Sequence, residues 1–423
     1  MSSDWPATIP GLSADESDFL TLLRAAVEGQ PPAAPPADWQ TVLRLTHQHM
    51  LTGFLYFHLT QWPEPCRPPA ADFTRLRSTF FTTVARQQRI VGQTSELLAA
   101  LARGRVRTVP LKGIWLADRI FPDAACRDMN DIDLLVAESD LATARTILWE
   151  LGYTSHDFAP DQTGAKDQLF LKEGAPLPLE LHWSLWREGT GPAAASPEAA
   201  DHIWSNLIET TLYDQPVAVF PLERELTYLT EHILHHEWAV PLKALLDLAL
   251  LVKQFGPSLD LQRLQAETQA WGIPFGCPFV IQVASDLFGS APFEPLASLL
   301  APAKAEREAR QTAVTSLLQL TRASMDASLD LLKSVRGTPR ERLRRGWSRL
   351  WLPSGDIRRL HPRAVRRLGL AGGYLVRAHD LLQRHGSKMF GGKKTAPDAA
   401  DGLTHFQTRH NLINWITTRD QQT

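Results

Sequence analysis

The chain has 423 residues, of which 44% are hydrophobic and 21% charged, and its formal net charge is −2. These values are typical of a globular protein with two or three domains. Three widely spaced cysteines, at positions 66, 126 and 277, exclude a disulfide framework or a zinc ligand set and favour a reducing cytosol. The first residues lack the apolar segment of a signal peptide, and Asp247 interrupts the longest apolar run, at 244–252. We therefore expect a cytoplasmic protein without a transmembrane helix.

Three helical segments are predicted in the N-terminal region, residues 1–103. Apolar residues recur at helical spacing over 13–29, 39–59 and 71–103. A proline-rich linker at 30–36 separates the first segment from the second. The N-terminal region is therefore predicted to be helical.

Strands and helices alternate in residues 104–220. Strands are predicted at 106–111, 131–136, 167–172 and 177–183, and helices at 114–121 and 140–151. After a break at 189–197 that is rich in glycine, proline and alanine, the pattern is almost wholly helical up to residue 320. This order favours an α/β fold, in which a small mixed-sheet core has N-terminal helices and a C-terminal all-helical domain at 221–330.

Two carboxylates lie on the second predicted strand, in the sequence Asp131-Ile132-Asp133. Because side chains alternate along a strand, both carboxylates point to one face and Ile132 points to the other. Two like charges held this close repel each other and favour a cation between them. Oxygen ligands suit a hard divalent ion, so we predict that Asp131 and Asp133 bind Mg²⁺ or Mn²⁺.

A carboxylate and an imidazole share one face of the last predicted strand. In the run 177–183, leucines and Trp183 occupy one face while Glu180 and His182 occupy the other. Glu180 is a candidate third metal ligand or the base that deprotonates an acceptor hydroxyl. The alternative for Glu180 is a surface acid that pairs with a basic neighbour. His182 is a candidate base, phosphate ligand or orienting group, and a purely structural hydrogen-bonding role is the alternative.

The motifs around these residues resemble a known family. They are LKG, then R-x-M-x-D-I-D-L-L-V, then a helix that ends in LGY, followed by E-L-H-W. Together they resemble the bacterial uncharacterised nucleotidyltransferase family, within the DNA polymerase β-like nucleotidyltransferase superfamily. The resemblance is specific from about residue 86 to 153 and looser to about 253. It implies a glycine-containing turn before a helix, a D-x-D strand and a third carboxylate on a later strand.

The same resemblance implies the activity and the substrates. A nucleotidyltransferase moves a nucleoside monophosphate from a triphosphate to an acceptor and releases pyrophosphate. Asp131, Asp133 and Glu180 are expected to hold Mg²⁺ (or Mn²⁺), and ATP is the expected donor because of its abundance. The acceptor, a small molecule, peptide or protein, is not identified by any motif.

Three further residues are candidates for phosphate binding. Lys112 and Gly113 form a turn between a predicted strand and a helix, where free N–H groups and a lysine charge attract phosphate. The superfamily more often has Gly-Gly or Gly-Ser at this turn, and a solvated turn lysine is the alternative role. Arg127, four residues before Asp131, is a candidate for bidentate phosphate binding.

Histidines cluster later in the chain, between residues 231 and 238. On a helix, His232 and His236 are one turn apart, as are Glu231 and His235. Because the H-E-x-x-H motif is absent, core and helix-surface histidines are favoured over a metal site. Asp247 is the polar exception in the next apolar helix. We expect these helices to line the active site, with His232, His236 or Asp247 near a substrate; a pairing of Asp247 with a nearby base is the alternative.

The C-terminal region, 331–423, is basic. Residues 333–394 contain 17 lysines and arginines and three acids. We predict basic helices and a flexible tail, and such a stretch either binds nucleic acid, an anionic membrane or an acidic partner, or consists of helices with solvated arginine faces. Two other functions therefore stay open beside nucleotidyl transfer. They are a non-catalytic nucleotide-binding or scaffold protein, and a nucleic-acid-binding protein that uses residues 333–394.

Overall fold

The computed structural model describes residues 11–155, 166–186, 202–300, 304–319, 357, 362–390 and 397–423. Four helices make up the N-terminal part: α1 (Ala14–Glu28), α2 (Trp39–Gln48), α3 (Thr52–Gln61) and α4 (Ala70–Arg103). Helix α1 begins at a capping box, in which the Ser13 side chain accepts a hydrogen bond from the Glu16 N–H and Glu16 binds back to the Ser13 N–H. This arrangement satisfies backbone donors that the first helical turn leaves free.

The segment 39–59 is helical, as its periodicity predicts, but the chain breaks between α2 and α3. Met50 adopts a positive φ of 60°, which a continuous helix does not allow. His49 is fully buried, and its Nδ1 accepts a hydrogen bond of 3.4 Å from the Leu242 N–H. The break is therefore accompanied by a contact to a residue 193 positions away. Local periodicity does not reveal such a long-range contact.

The central sheet has four strands: β1 (Thr108–Leu111), β2 (Ile132–Val136), β3 (Asp167–Phe170) and β4 (Leu179–His182). Their order is β1-β2-β4-β3, with β2 parallel to β4 and the two outer pairs antiparallel. Helix α5 (Gly113–Arg119) follows β1, and α6 (Leu141–Glu150) follows β2. The predicted α/β fold with a small mixed sheet is confirmed.

A separate hairpin, β5 (Ile208–Leu212) and β6 (Gln215–Val219), follows the central sheet and was not predicted. Its two turn residues, Tyr213 and Asp214, have positive φ values of 49° and 62°. Turns of this kind match the twist of the two flanking strands but usually contain asparagine or glycine. Tyrosine at the first position hides this signal in the sequence. The hairpin packs against β1 and α4.

The described C-terminal part is helical, as predicted. Its helices are α7 (Leu222–His235), α8 (Lys243–Phe255), α9 (Leu261–Ala270), α10 (Gly276–Phe288), α11 (Lys304–Leu318), α12 (Pro362–Phe390) and α13 (Pro397–Asp420). Much of the basic segment 333–394 lies outside the described residues, and the predicted boundaries at 103, 220 and 330 stay predictions. In the described ranges, no helix is both long enough and apolar enough to cross a bilayer.

The two faces of the central sheet pack into two different apolar clusters. One face contributes Ile132, Leu134, Leu179 and Leu181 to a cluster with buried residues of α4 and α6. The other face contributes Val109, Leu111 and Leu135 to a larger cluster that includes α3, α7 and α8. Since side chains alternate along a strand, Asp133 lies on the same face as Leu135. The polar residues of that face therefore point toward the side of the sheet on which α7 and α8 pack.

Candidate active site

Strand pairing joins the two polar motifs that the sequence separates by about fifty residues. In the parallel pair of β2 and β4, Asp133 is opposite Glu180, and Leu135 is opposite His182. Residues that are directly opposite share a face of the sheet. Asp133, Glu180 and His182 therefore project from one face, while Ile132 and Leu181 enter the apolar cluster behind it.

Three of these side chains can hold a metal ion. His182 Nε2 lies 3.0 Å from Asp133 Oδ1 and 3.7 Å from Glu180 Oε2. One ligand atom from each of the three lies within 4.8 Å of the other two. This is the only such three-ligand group in the residues that the structure describes. Asp131 precedes β2 and lies outside this group, and its predicted role as a metal ligand stays a prediction.

Lys112 supplies a positive charge to this cluster. Its Nζ lies 3.4 Å from Asp133 Oδ2, and its side chain is 18% exposed. Burial lowers the pKa of Lys112, but the charges of Asp133, Asp131 and Glu180 outweigh burial and raise it. The ammonium therefore stays charged and occupies the position of a cation among three carboxylates. The alternative of a solvated turn residue does not describe this lysine.

The backbone of Lys112 is in an unusual conformation, with φ 39° and ψ −107°. Residues other than glycine rarely adopt a positive φ, and such a conformation costs about 1–3 kcal/mol. The next residue, Gly113, begins α5 and is packed closely. A Cβ at position 113 would lie 3.2 Å from Met129 Sδ and 3.4 Å from Arg127 Nη1. The Lys-Gly pair therefore combines a strained turn with a position that has little room for a side chain.

The three acids of the site differ in how strongly they hold a proton. Burial raises the pKa of Asp133, but Lys112 and the hydrogen bond to His182 outweigh it, and the pKa is lowered. Burial and the charge of Asp133 raise the pKa of Asp131. Burial, followed by the charges of Asp133 and Asp131, raises the pKa of Glu180 to about 8. The cluster thus has more carboxylates than Lys112 alone can neutralise.

Arg127 and Asp247 form a second buried group beside the first. Arg127 Nε donates to Asp247 Oδ1 at 2.9 Å, and Nη2 donates to Oδ2 at 2.7 Å. The two side chains are 6% and 3% exposed. The alternative role for Asp247, pairing with a nearby base, is the arrangement observed. Asp247 takes two of the five guanidinium N–H groups, so one N–H of Nη2 and the two of Nη1, which lies beside Gly113, are left for the predicted phosphate.

Helix α7 contributes further titratable groups whose charges act on the sheet residues. Burial and then the charges of Asp133 and Glu225 raise the pKa of Tyr228 well above its usual value. Burial and the charge of Lys112 lower the pKa of His232. His236 stacks edge-on against His232, with 4.4 Å between the ring centroids. His232 therefore lies in the electrostatic surroundings of Lys112, and the expected contact of His232, His236 or Asp247 with a substrate stays a prediction.

Three residues of this region were missed in the sequence. They are Glu225 and Tyr228 on α7, and Lys243 at the start of α8, whose Nζ donates to the Asp128 carbonyl at 2.6 Å. Burial and the charge of Arg127 lower the pKa of Lys243 to about 8. Glu225, Tyr228 and His232 follow each other at spacings of three and four residues. Such spacing indicates one polar stripe on a helix, and this signal is visible in the sequence.

Comparison with known proteins identifies one family. The family model described as uncharacterised nucleotidyltransferase matches residues 35–289, which is more than half of the chain. The protein belongs to this family. No curated protein and no solved structure matches the chain.

The family match covers the whole candidate site. It begins before α2 and ends just after α10, so it includes the sheet, Lys112, and the helices α7 and α8. The basic segment 333–394 lies outside the matched residues of this nucleotidyltransferase-family member. Chemically, the arrangement combines a group of acids that attracts cations, one lysine and one imidazole on one face of the central sheet.

Proposed function

We propose that the protein is a metal-dependent nucleotidyltransferase of the DNA polymerase β-like superfamily. It transfers a nucleoside monophosphate, with ATP as the first donor to test, to an acceptor and releases pyrophosphate. The observation that supports this most is the parallel pairing of β2 with β4. This pairing puts Asp133 opposite Glu180, with His182 and Lys112 in contact with Asp133.

The donor set fits a divalent metal ion. Asp133, Glu180 and His182 would hold it, with Asp131 as a further carboxylate beside them. Carboxylate oxygens suit Mg²⁺ and Mn²⁺, and the imidazole nitrogen is more readily accepted by Mn²⁺. A bound ion of this kind stabilises the charge on phosphoryl oxygens and orients them.

Lys112 has a different role once another cation occupies the carboxylates. When no other cation is bound, the Lys112 ammonium pairs with Asp133 at 3.4 Å. The triphosphate carries a larger negative charge than the single carboxylate, so we propose that the ammonium then binds a β- or γ-phosphate oxygen. Lysine binds phosphate as a point charge and needs no fixed geometry to do so. Arg127, held by Asp247, keeps the segment before Asp131 in position.

The transfer step itself needs a nucleophile and a proton acceptor. The hydroxyl oxygen of the acceptor forms a bond to the α-phosphorus, and the bond from that phosphorus to the β-bridging oxygen breaks. Pyrophosphate leaves with the electron pair, and the hydroxyl proton moves to a carboxylate. Glu180 is the proposed base, because its side chain is 36% exposed whereas that of Asp133 is 3% exposed.

The test uses full-length protein with each of four α-labelled nucleoside triphosphates and Mg²⁺ or Mn²⁺. We expect label transfer to a component of a cell extract, with release of pyrophosphate. The double variant Asp131→Asn/Asp133→Asn should lose both signals. A matched control, Glu209→Gln, changes an exposed acid on β5 and should keep them. If no nucleotide binds in a metal-dependent way, the proposal is wrong.

A further inference from the structure

One nitrogen of the His182 ring has no hydrogen-bond partner among the described residues. The ring is buried, with 4% exposure, and its Nε2 lies 3.0 Å from Asp133 Oδ1. The other nitrogen, Nδ1, is also buried and makes no hydrogen bond in the described part of the chain. Because buried polar atoms are nearly always paired, an unpaired nitrogen in a candidate metal site calls for a physical explanation.

The carboxylate of Asp167 lies close to this nitrogen. Asp167 begins β3 and is directly opposite His182 on β4, and its Oδ2 lies 3.8 Å from His182 Nδ1. This distance is too long for a hydrogen bond. The two strands are held together at this point, because the Trp183 and Ser184 N–H groups both donate to the Lys166 carbonyl, at 3.0 and 3.3 Å. The Asp167 side chain is 38% exposed and therefore has room to move closer to the ring.

The hydrogen bond between His182 and Asp133 accounts for the gap between Nδ1 and Asp167. The ionised Asp133 carboxylate can only accept a hydrogen bond, so His182 Nε2 carries a proton and donates to it. In a neutral ring, Nδ1 then has a lone pair and no proton. A lone pair cannot bond to the acceptor oxygens of Asp167, and the separation of 3.8 Å agrees with two acceptor atoms beside each other.

The two nitrogens of His182 exchange these roles when the ring becomes a metal ligand. A ligand nitrogen must offer a lone pair, so Nε2 gives up its proton and the neutral ring carries its proton on Nδ1. The exchange takes place with water and leaves the number of protons on the ring unchanged. Nδ1 is then a donor beside a carboxylate. Metal-binding histidines almost always donate their other ring N–H to such a group.

We propose that Asp167 is a positioning residue of the metal site, and that its carboxylate accepts a hydrogen bond from His182 Nδ1. This bond selects the tautomer in which Nε2 is free to bind the ion, and it makes Nε2 a stronger ligand. Asp167 lies outside the candidate ligand group of Asp133, Glu180 and His182, so it acts through the ring. The inference rests on the proposed function for the presence of a metal ion.

The test measures Mn²⁺ binding to the full-length protein without nucleotide. Electron paramagnetic resonance of the free ion gives the dissociation constant, and pulsed measurements give the coupling of the bound ion to the ring nitrogen. Asp167→Ala removes the acceptor, so it should weaken Mn²⁺ binding about tenfold to a hundredfold and change the nitrogen coupling. Asp167→Asn keeps an acceptor oxygen and should retain most of the affinity and the coupling. Glu173→Gln, at an exposed acid six residues further on, should leave both unchanged.

Three results would overturn the inference. The first is wild-type Mn²⁺ affinity and nitrogen coupling in Asp167→Ala, which would mean that Asp167 does not act on the ring. The second is an equal loss of affinity in Asp167→Ala and Asp167→Asn with unchanged nitrogen coupling, which would make Asp167 a direct metal ligand. The third is a loss in Asp167→Ala that Glu173→Gln matches, because a general loss of negative charge would then explain it.

Label transfer from an α-labelled triphosphate, measured on the same samples, separates this inference from the proposed function. If Asp167→Ala loses Mn²⁺ affinity as expected but the wild-type protein transfers no label, the proposed function fails and the role of Asp167 stands. If the wild-type protein transfers label and Asp167→Ala binds Mn²⁺ normally, the inference fails alone. Absence of Mn²⁺ binding by the wild-type protein would reject both. Equal denaturant midpoints of the variants and the wild-type protein show that each sample is folded.

Discussion

Two buried charged groups lie side by side in this protein, and they differ in how they are neutralised. Arg127 and Asp247 form a one-to-one pair with two hydrogen bonds. The neighbouring group has three carboxylates, Asp131, Asp133 and Glu180, around the single ammonium of Lys112. The first group is complete without any ligand. The second is short of positive charge, so we assign the chemistry to the second and a positioning role to the first.

The Arg127–Asp247 pair holds two distant parts of the chain together. It connects residues 120 positions apart and fixes α8 against the segment that leads into β2. Lys243, at the start of α8, adds a second connection through its 2.6 Å hydrogen bond to the Asp128 carbonyl. The segment that carries Asp131 is thus attached to α8 at two points.

The largest expected effect is a loss of activity when Asp133, which contacts both Lys112 and His182, is replaced. Asp133→Asn keeps the shape of the side chain but removes the charge that both Lys112 and a metal ion need. We expect nucleotidyl transfer to fall about a thousandfold, which corresponds to ~4 kcal/mol of transition-state stabilisation. Rates of pyrophosphate release at saturating ATP and Mn²⁺ measure this. A variant with near wild-type rates would remove Asp133 from the mechanism.

The next largest effect is a loss of stability when the Arg127–Asp247 pair is broken. Asp247→Ala leaves the Arg127 guanidinium buried without its partner, which costs about 3–5 kcal/mol. Denaturant unfolding of the full chain measures the change. The control is the double variant Arg127→Met/Asp247→Leu, which replaces both charges by apolar groups and should recover most of the loss. If the double variant is as unstable as Asp247→Ala, the pair does more than satisfy its own charges.

A smaller effect concerns the pH dependence of metal binding. Glu180, with a pKa of about 8 in the metal-free protein, carries a proton at pH 6 that a metal ion must displace. Mn²⁺ affinity should therefore rise by roughly tenfold per pH unit between pH 6 and pH 8, and level off above that. Calorimetric titration measures it. Glu180→Gln should flatten the profile, and a wild-type profile that is already flat would contradict the raised pKa.

The smallest effect compares two variants at the strained turn. Lys112→Ala and Lys112→Gly both remove the ammonium, but only glycine adopts the positive φ of this position without strain. We expect the glycine variant to be more stable than the alanine variant by about 1 kcal/mol. Thermal unfolding in the same buffer checks this. Equal stability would mean that the backbone at residue 112 relaxes to a different conformation.

Much of the fold and the acids of the site follow from local patterns. Alternation along β4 is enough to put Glu180 with His182, whereas Asp131 precedes β2 and falls outside the strand pattern. The register that sets Asp133 opposite Glu180 depends on pairing between distant strands, and no local signal contains it. The partner of Arg127, Asp247, lies on α8 and is equally invisible to local patterns. The break at Met50 lies next to His49, whose hydrogen-bond partner Leu242 is also far away in the sequence.

The most direct test of a metal site at Asp133, Glu180 and His182 is a Mn²⁺ titration of the protein, followed by electron paramagnetic resonance. We expect saturable binding that is lost in Asp133→Asn and kept in Glu209→Gln. We also expect signal broadening by histidine nitrogen that disappears in His182→Ala, because His182 belongs to the same candidate ligand group. Equal Mn²⁺ binding by the wild-type protein and Asp133→Asn, or no binding by either, would contradict a metal site at these residues.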